Sequence, residues 1–147
     1  MTDLGTLHHF LGIDVLRDSS GLFLSQRQYT LDLLNCAGML DYQSSRTPVD
    51  TSFKLSADGE PFHDPTLYRS LTGALQYLTV TRPKISFAIQ QACLHMHDPR
   101  LPHYNHVKRV LRYLKGTLDH GLHINKSTPH SLTAYSDADW DGCPNTR

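Results

Sequence analysis

Three successive helices, each opened at a proline, limit what this chain can fold into more than any other feature. They occupy residues 64–116. Asp64-Pro65 places a carboxylate at the N-cap position before a proline at the first helical position, and Leu67, Leu71, Leu75 and Leu78 follow. Arg82-Pro83 ends that helix, because the residue before a proline is pushed out of the α region, and Pro83 starts the second. The second carries Ile85, Ala88, Ile89, Ala92 and Met96 up to Asp98-Pro99. The third opens near Pro102, carries Tyr104, Val107, Leu111 and Leu114, and ends at Lys115-Gly116, with the glycine expected at the left-handed C′ position. Spacings of three and four fit a helical period and not the period of two of a strand.

Strand-like segments flank this middle. Residues 8–16 read as one strand with Gly12 as a bulge or a close backbone approach, 17–21 as a connector, and 22–25 as the returning strand. Ser25-x-x-Gln28 has the pattern of a capping box, so a fourth helix is expected over 26–37. Residues 39–63 show little periodicity, and such a stretch is either a linker or lies extended across the surface. Residues 120–124 and 132–137 read as a C-terminal hairpin that stops shortly before Arg147, as though a domain were cut short. The expected class is α+β.

Composition excludes several functions. Fourteen basic residues balance fourteen acidic ones, so any nucleic-acid contact must come from local clustering. No apolar run approaches the ~20 residues of a membrane span, and no signal-peptide core is present, which predicts a cytoplasmic or nuclear protein with no membrane partner. Cys36, Cys93 and Cys143 are scattered and odd in number, as reduced thiols are.

Local clustering does occur. On the third helix Lys108, Arg109, Arg112 and Lys115 share an arc beside the apolar face, at about 100° per residue. Such an arc suits the phosphates of a duplex. It equally suits the solvated side of an amphipathic helix, with Lys115 favoured at the C-terminus. Cys93-x-His95-x-His97 and His103-x-x-His106 invite a zinc site, but residues two apart on a helix diverge, and the spacing matches no closed zinc motif. Asp137-x-Asp139-x-Asp141-Gly142 fits the first half of a calcium loop, although the closing glutamate would fall beyond Arg147 and Pro144 suits the loop poorly.

Several stretches together resemble the reverse transcriptase of copia-type retrotransposons. They are Asp3-Leu4-Gly5 leading to Phe10-Leu11-Gly12-Ile13, Tyr77-Leu78-Thr79-Val80-Thr81-Arg82-Pro83, Leu111-Arg112-Tyr113-Leu114-Lys115-Gly116-Thr117, and Tyr135-Ser136-Asp137-Ala138-Asp139-Trp140. Their order and spacing agree with that family over essentially the whole chain. The resemblance implies a layout: 1–25 as the end of a polymerase palm with a primer-grip-like hairpin, and 26–63 as a thumb-like helix and loop. Residues 64–118 would then be a helical connection, and 119–147 the start of a truncated ribonuclease H-like domain. In that layout Gly12 lets the primer backbone approach closely. Asp137 matches the family's first ribonuclease H carboxylate, a ligand for Mg²⁺ in a complete domain. The family's Tyr-x-Asp-Asp polymerase turn has no counterpart here, so the resemblance implies a segment that is inactive alone. Its implied partners are a template–primer duplex or RNA–DNA hybrid and the rest of the polyprotein. The rival expectations are a non-catalytic helical nucleic-acid-binding or scaffold domain and, on six residues, a calcium-binding module.

Overall fold

A computed structural model describes residues 5–50, 55–56 and 58–126. The strand expected over 132–137, Asp137, Trp140 and the calcium-loop pattern lie outside the described residues.

The class is α+β, with a four-stranded antiparallel sheet and four helices. In chain order these are β1 (His9–Phe10), β2 (Ile13–Arg17), β3 (Gly21–Ser25), α1 (Arg27–Cys36), α2 (Pro65–Leu78), a single 3₁₀ turn at Pro83–Ile85, α3 (Ser86–Cys93), α4 (Leu101–Lys115) and β4 (Leu122–Asn125).

The expected first strand is in fact two. Leu11 and Gly12 have φ of 49° and 76°, so the backbone reverses there and pairs Phe10 with Ile13. Two consecutive left-handed residues make the tight hairpin turn whose twist matches that of its strands. Gly12 is therefore a turn residue and not a bulge. The next connector is shorter than expected, because β2 runs to Arg17 and β3 begins at Gly21. The Asp18 carboxylate accepts hydrogen bonds from the Ser20 hydroxyl and from the Ser20 and Gly21 N–H groups, which hold its pKa below the ordinary carboxylate range.

The segment read as the start of a C-terminal hairpin joins the N-terminal sheet. Leu122 and Ile124 of β4 pair with Leu24 and Leu22 of β3. Gly121 permits this, since a Cβ there would lie 2.3 Å from the Leu24 carbonyl oxygen.

The helices follow the proline punctuation closely. Asp64 Oδ1 accepts from the Leu67 N–H at 2.9 Å, Pro65 opens α2, and Pro83 opens the turn that leads into α3. Two caps depart from expectation. The capping box at Ser25 does not form; Gln26 is the N-cap of α1, and its buried side chain turns inward to accept from Thr81 Oγ1. Gly116 has φ of −74°, so it is not left-handed; it stands where a Cβ would come within 2.9 Å of Ser44 Cβ. The second helix ends at Cys93, several residues before Asp98-Pro99.

All four helices feed one core, in which Leu34, Tyr68, Leu75, Leu78, Ile85, Ile89, Val107, Leu111 and Leu114 are fully buried. Each such aliphatic side chain contributes about 1.5–3 kcal/mol relative to exposure. Tyr68 keeps its hydroxyl satisfied by donating to the Ala92 carbonyl at 2.7 Å, and burial drives its pKa far upward. Of the two readings of 39–63, the described parts lie across the helices. Met39 and Phe62 are core residues, and Phe62 N–H donates to the Pro99 carbonyl.

Candidate nucleic-acid interface

The cationic arc of α4 is not simply solvated. Arg109 donates to Asp50 Oδ2 at 3.1 Å and to Thr47 Oγ1 at 3.0 Å. Arg112 Nε donates to the Gln43 carbonyl at 2.7 Å, and Lys115 Nζ to the Tyr42 carbonyl at 2.6 Å. The Ser45 N–H returns a bond to the Arg112 carbonyl. The loop 42–50 thus lies along α4 and offers oxygen acceptors to three of the four cations. Lys108 behaves differently, with its ammonium 5.1 Å from the centre of the Tyr104 ring, within the range of a cation–π contact. Tyr104 itself stacks on Phe62 with ring centres 4.1 Å apart. Its pKa is raised by burial first, then by Tyr42 and Asp64.

These loop contacts are weak ones. The Arg109 and Asp50 side chains are partly exposed, and such pairs contribute about 0–1 kcal/mol. Bonds from a cation to a neutral carbonyl at a partly solvated surface leave only a modest net gain once water is counted. A polyanion would present stronger acceptors to the same donors.

Gly12 lies elsewhere, at the tip of the β1–β2 turn. There Phe10 is 59 % and Leu11 70 % exposed, and the Leu11 carbonyl accepts from the Tyr77 hydroxyl on α2. The structure therefore groups Arg109, Arg112 and Lys115 against one loop, sets Lys108 over an aromatic ring, and holds Gly12 in a tip braced by a different helix. Asp137 falls outside the described residues. Among the described residues no three His, Cys, Asp or Glu side chains converge as a metal site would require. His95, one of the residues weighed for zinc, stacks on His103 instead.

Sequence reasoning missed Arg82. Its side chain is 6 % exposed, and its guanidinium donates to the Thr117 carbonyl at 2.9 Å and to the Thr117 hydroxyl. It fastens the corner between α2 and α3 to the chain leaving α4. An arginine directly before a proline was the available signal, but nothing local distinguishes a buried guanidinium from a solvated one.

No helix among the described residues is long and apolar enough to cross a membrane. No protein-family model and no solved structure matches the chain. Curated proteins do match. An uncharacterized mitochondrial protein of Arabidopsis thaliana, AtMg00810, is 48 % identical over 147 residues, all of this chain and 61 % of that protein. The retrovirus-related Pol polyprotein from transposon RE2 of the same plant is 52 % identical over 137 residues, 92 % of this chain and 9 % of the polyprotein. The corresponding polyprotein from transposon TNT 1-94 of Nicotiana tabacum is 34 % identical over 154 residues, 97 % of this chain and 11 % of the polyprotein. The chain thus spans under two thirds of the first relative and about a tenth of the polyproteins. Along nearly its whole length it is homologous to a segment of plant retrotransposon Pol polyproteins, in agreement with the copia-type resemblance carried by its motifs.

Proposed function

We propose that this chain is the segment of a retroelement RNA-directed DNA polymerase and ribonuclease H that positions the template–primer duplex and does not itself transform it. The observation that carries the reading is the β1–β2 tip. A leucine held at φ of 49° costs about 1 kcal/mol or more. That Leu11 and its neighbour Phe10 face solvent on a turn braced by Tyr77. Strain kept at an exposed, apolar, braced tip suits a surface built to be pressed against something. Lys108, Arg109, Arg112 and Lys115 supply the electrostatic part of the same role, with the 42–50 loop as the group a duplex would displace. In this reading Asp137 contributes one carboxylate towards Mg²⁺ in the intact enzyme. One or two carboxylates bind Mg²⁺ only weakly without further ligands, since the ion keeps most of its waters.

A second reading has its own observation. Arg112 and Lys115 already serve to fasten a loop of the same chain, as they would in a helical scaffold with no nucleic-acid partner.

Titrating a labelled RNA–DNA hybrid with the 147-residue chain across salt concentrations separates the two. The positioning role predicts binding with a steep salt dependence, lowered by about one in slope for Lys108→Ala and by about two when Arg112→Ala is added. It also predicts weaker binding for Phe10→Ser combined with Leu11→Asn, since asparagine keeps the left-handed turn. Binding that ignores salt, or no binding by a folded chain, leaves the scaffold.

A further inference from the structure

The junction of α3 and α4 carries an arrangement that template positioning does not use. His103 is fully buried in the first turns of α4. Its Nδ1 accepts from the Arg100 N–H at 2.9 Å, so the ring hydrogen sits on Nε2 and points to the Ser56 carbonyl 2.8 Å away. One imidazole therefore satisfies a donor at the start of α4 and an acceptor in the strap that precedes α2. His95, just past the end of α3, lies flat on it, with ring centres 3.7 Å apart and planes 16° apart. The strap is held at the same place by Leu101 N–H to the Glu60 carbonyl, Phe62 N–H to the Pro99 carbonyl, and Arg100 to the Gly59 carbonyl.

We infer that the stacked His95–His103 pair is an acid-sensitive clasp, which holds residues 58–62 against the N-terminal turn of α4 and releases them when it takes up protons. A proton on His103 Nδ1 turns the acceptor of the Arg100 N–H into a second donor, so that bond becomes a donor–donor clash. A proton on either ring also sets a charge against a stacked neighbour, and on His103 that charge is fully buried. The other groups facing the pair do not offset it. They are His97 beyond α3, His106 on α4, and Arg100, whose guanidinium is paired with Asp98. His106 donates to the Ala88 carbonyl and ties α4 to α3. Among the described residues neither ring of the stack has a carboxylate partner.

The direction of the pH dependence follows from His95 and His106. Burial first, then the neighbouring histidines, hold His95 below the ordinary histidine value of 6.5; at His106 burial, with Arg109 and His103, outweighs the raising effect of the bond to the Ala88 carbonyl. A base whose folded pKa is depressed contributes stability that is complete above the unfolded value. That stability is lost as pH falls through the lowered folded one, because the unfolded chain takes protons more readily. The window of loss therefore opens below about pH 6.5.

Hydrogen exchange of the full chain, corrected for intrinsic rates, tests the clasp at pH 7.5 and 5.0. The Phe62 and Leu101 amides should lose protection several-fold at the lower pH, while amides in the middle of α2 stay protected. His95→Phe keeps a stacked ring but removes its proton site, and should move the loss to lower pH. Unchanged protection of Phe62 and Leu101 at pH 5.0 overturns the clasp. So does a folded His95→Phe chain with the wild-type profile. If that variant does not fold, the wild-type comparison decides alone.

Discussion

At the scale of single residues, the cap of α2 is made by two neighbouring residues, Asp64 and Pro65. Asp64 caps α2 because a short carboxylate before a proline has its acceptor poised for an N–H three residues on, and no distant partner is needed. Replacing it with alanine should lower stability by about 1 kcal/mol, measured as a shift in the urea midpoint, with Asp64→Ser recovering most of the loss. An unshifted midpoint would mean that Pro65 alone sets the start of the helix. Gly116 and Gln26 show the limit of reading caps from the sequence. Glycine after a helix usually signals a left-handed cap, but here it makes room for Ser44, which approaches from a loop far away in sequence. Ser25 had the pattern of a cap, yet Gln26 takes that position because buried Thr81 needs an acceptor. In both cases a tertiary contact decided between local alternatives.

Among elements, the three proline-opened helices were legible because a 3.6-residue period and its breakers lie within one stretch of chain. The cationic arc of α4 was legible as an arc, but its occupant was not. The loop 42–50 reaches it across the fold, and the bonds run to main-chain oxygens that carry no sequence signature. Arg82 is the most consequential junction between elements. Its planar fork reaches two oxygens of Thr117 and so couples the corner after α2 to the exit of α4. Arg82→Ala should cost about 2 kcal/mol, from two hydrogen bonds with a charged donor in a buried site. Arg82→Lys should recover only part of this, because an ammonium cannot reproduce the fork. Urea unfolding of the two variants checks both statements; full recovery by lysine would mean that charge and not geometry is what the site requires.

Over the whole molecule, the buried cluster belongs to the helices and to the segments that cross them, while the sheet stands outside it. Val15 is the sheet's one buried apolar residue among those described, and it is not part of that cluster. The sheet is also assembled from the two ends of the described chain, since β4 pairs with β3 only after the helices have been traversed. No pattern in residues 120–124 could announce that partner, because alternation identifies a strand but not its neighbour. The consequence is an uneven distribution of stability. Opening the sheet gives up backbone hydrogen bonds and little buried apolar area, whereas opening α2 or α4 exposes Leu75, Leu78, Val107, Leu111 and Leu114 together. Cooperative units with few buried apolar contacts open at lower free energy than the core. Native-state hydrogen exchange at neutral pH should therefore find β4 and its partners on β3 exchanging through a partial opening, in which the α2 and α4 amides remain protected. In low concentrations of urea the strand amides should keep a shallow dependence, because little surface is exposed, while the helix amides follow the steep slope of global unfolding. Gly121→Ala, which drives a methyl group toward the Leu24 carbonyl, should deprotect β4 and leave the helices as they were. If β4 and α4 instead exchanged with one free energy and one urea slope, the sheet and the helical core would be a single cooperative unit, and the strained β1–β2 tip would rest on a far more rigid base than its burial indicates.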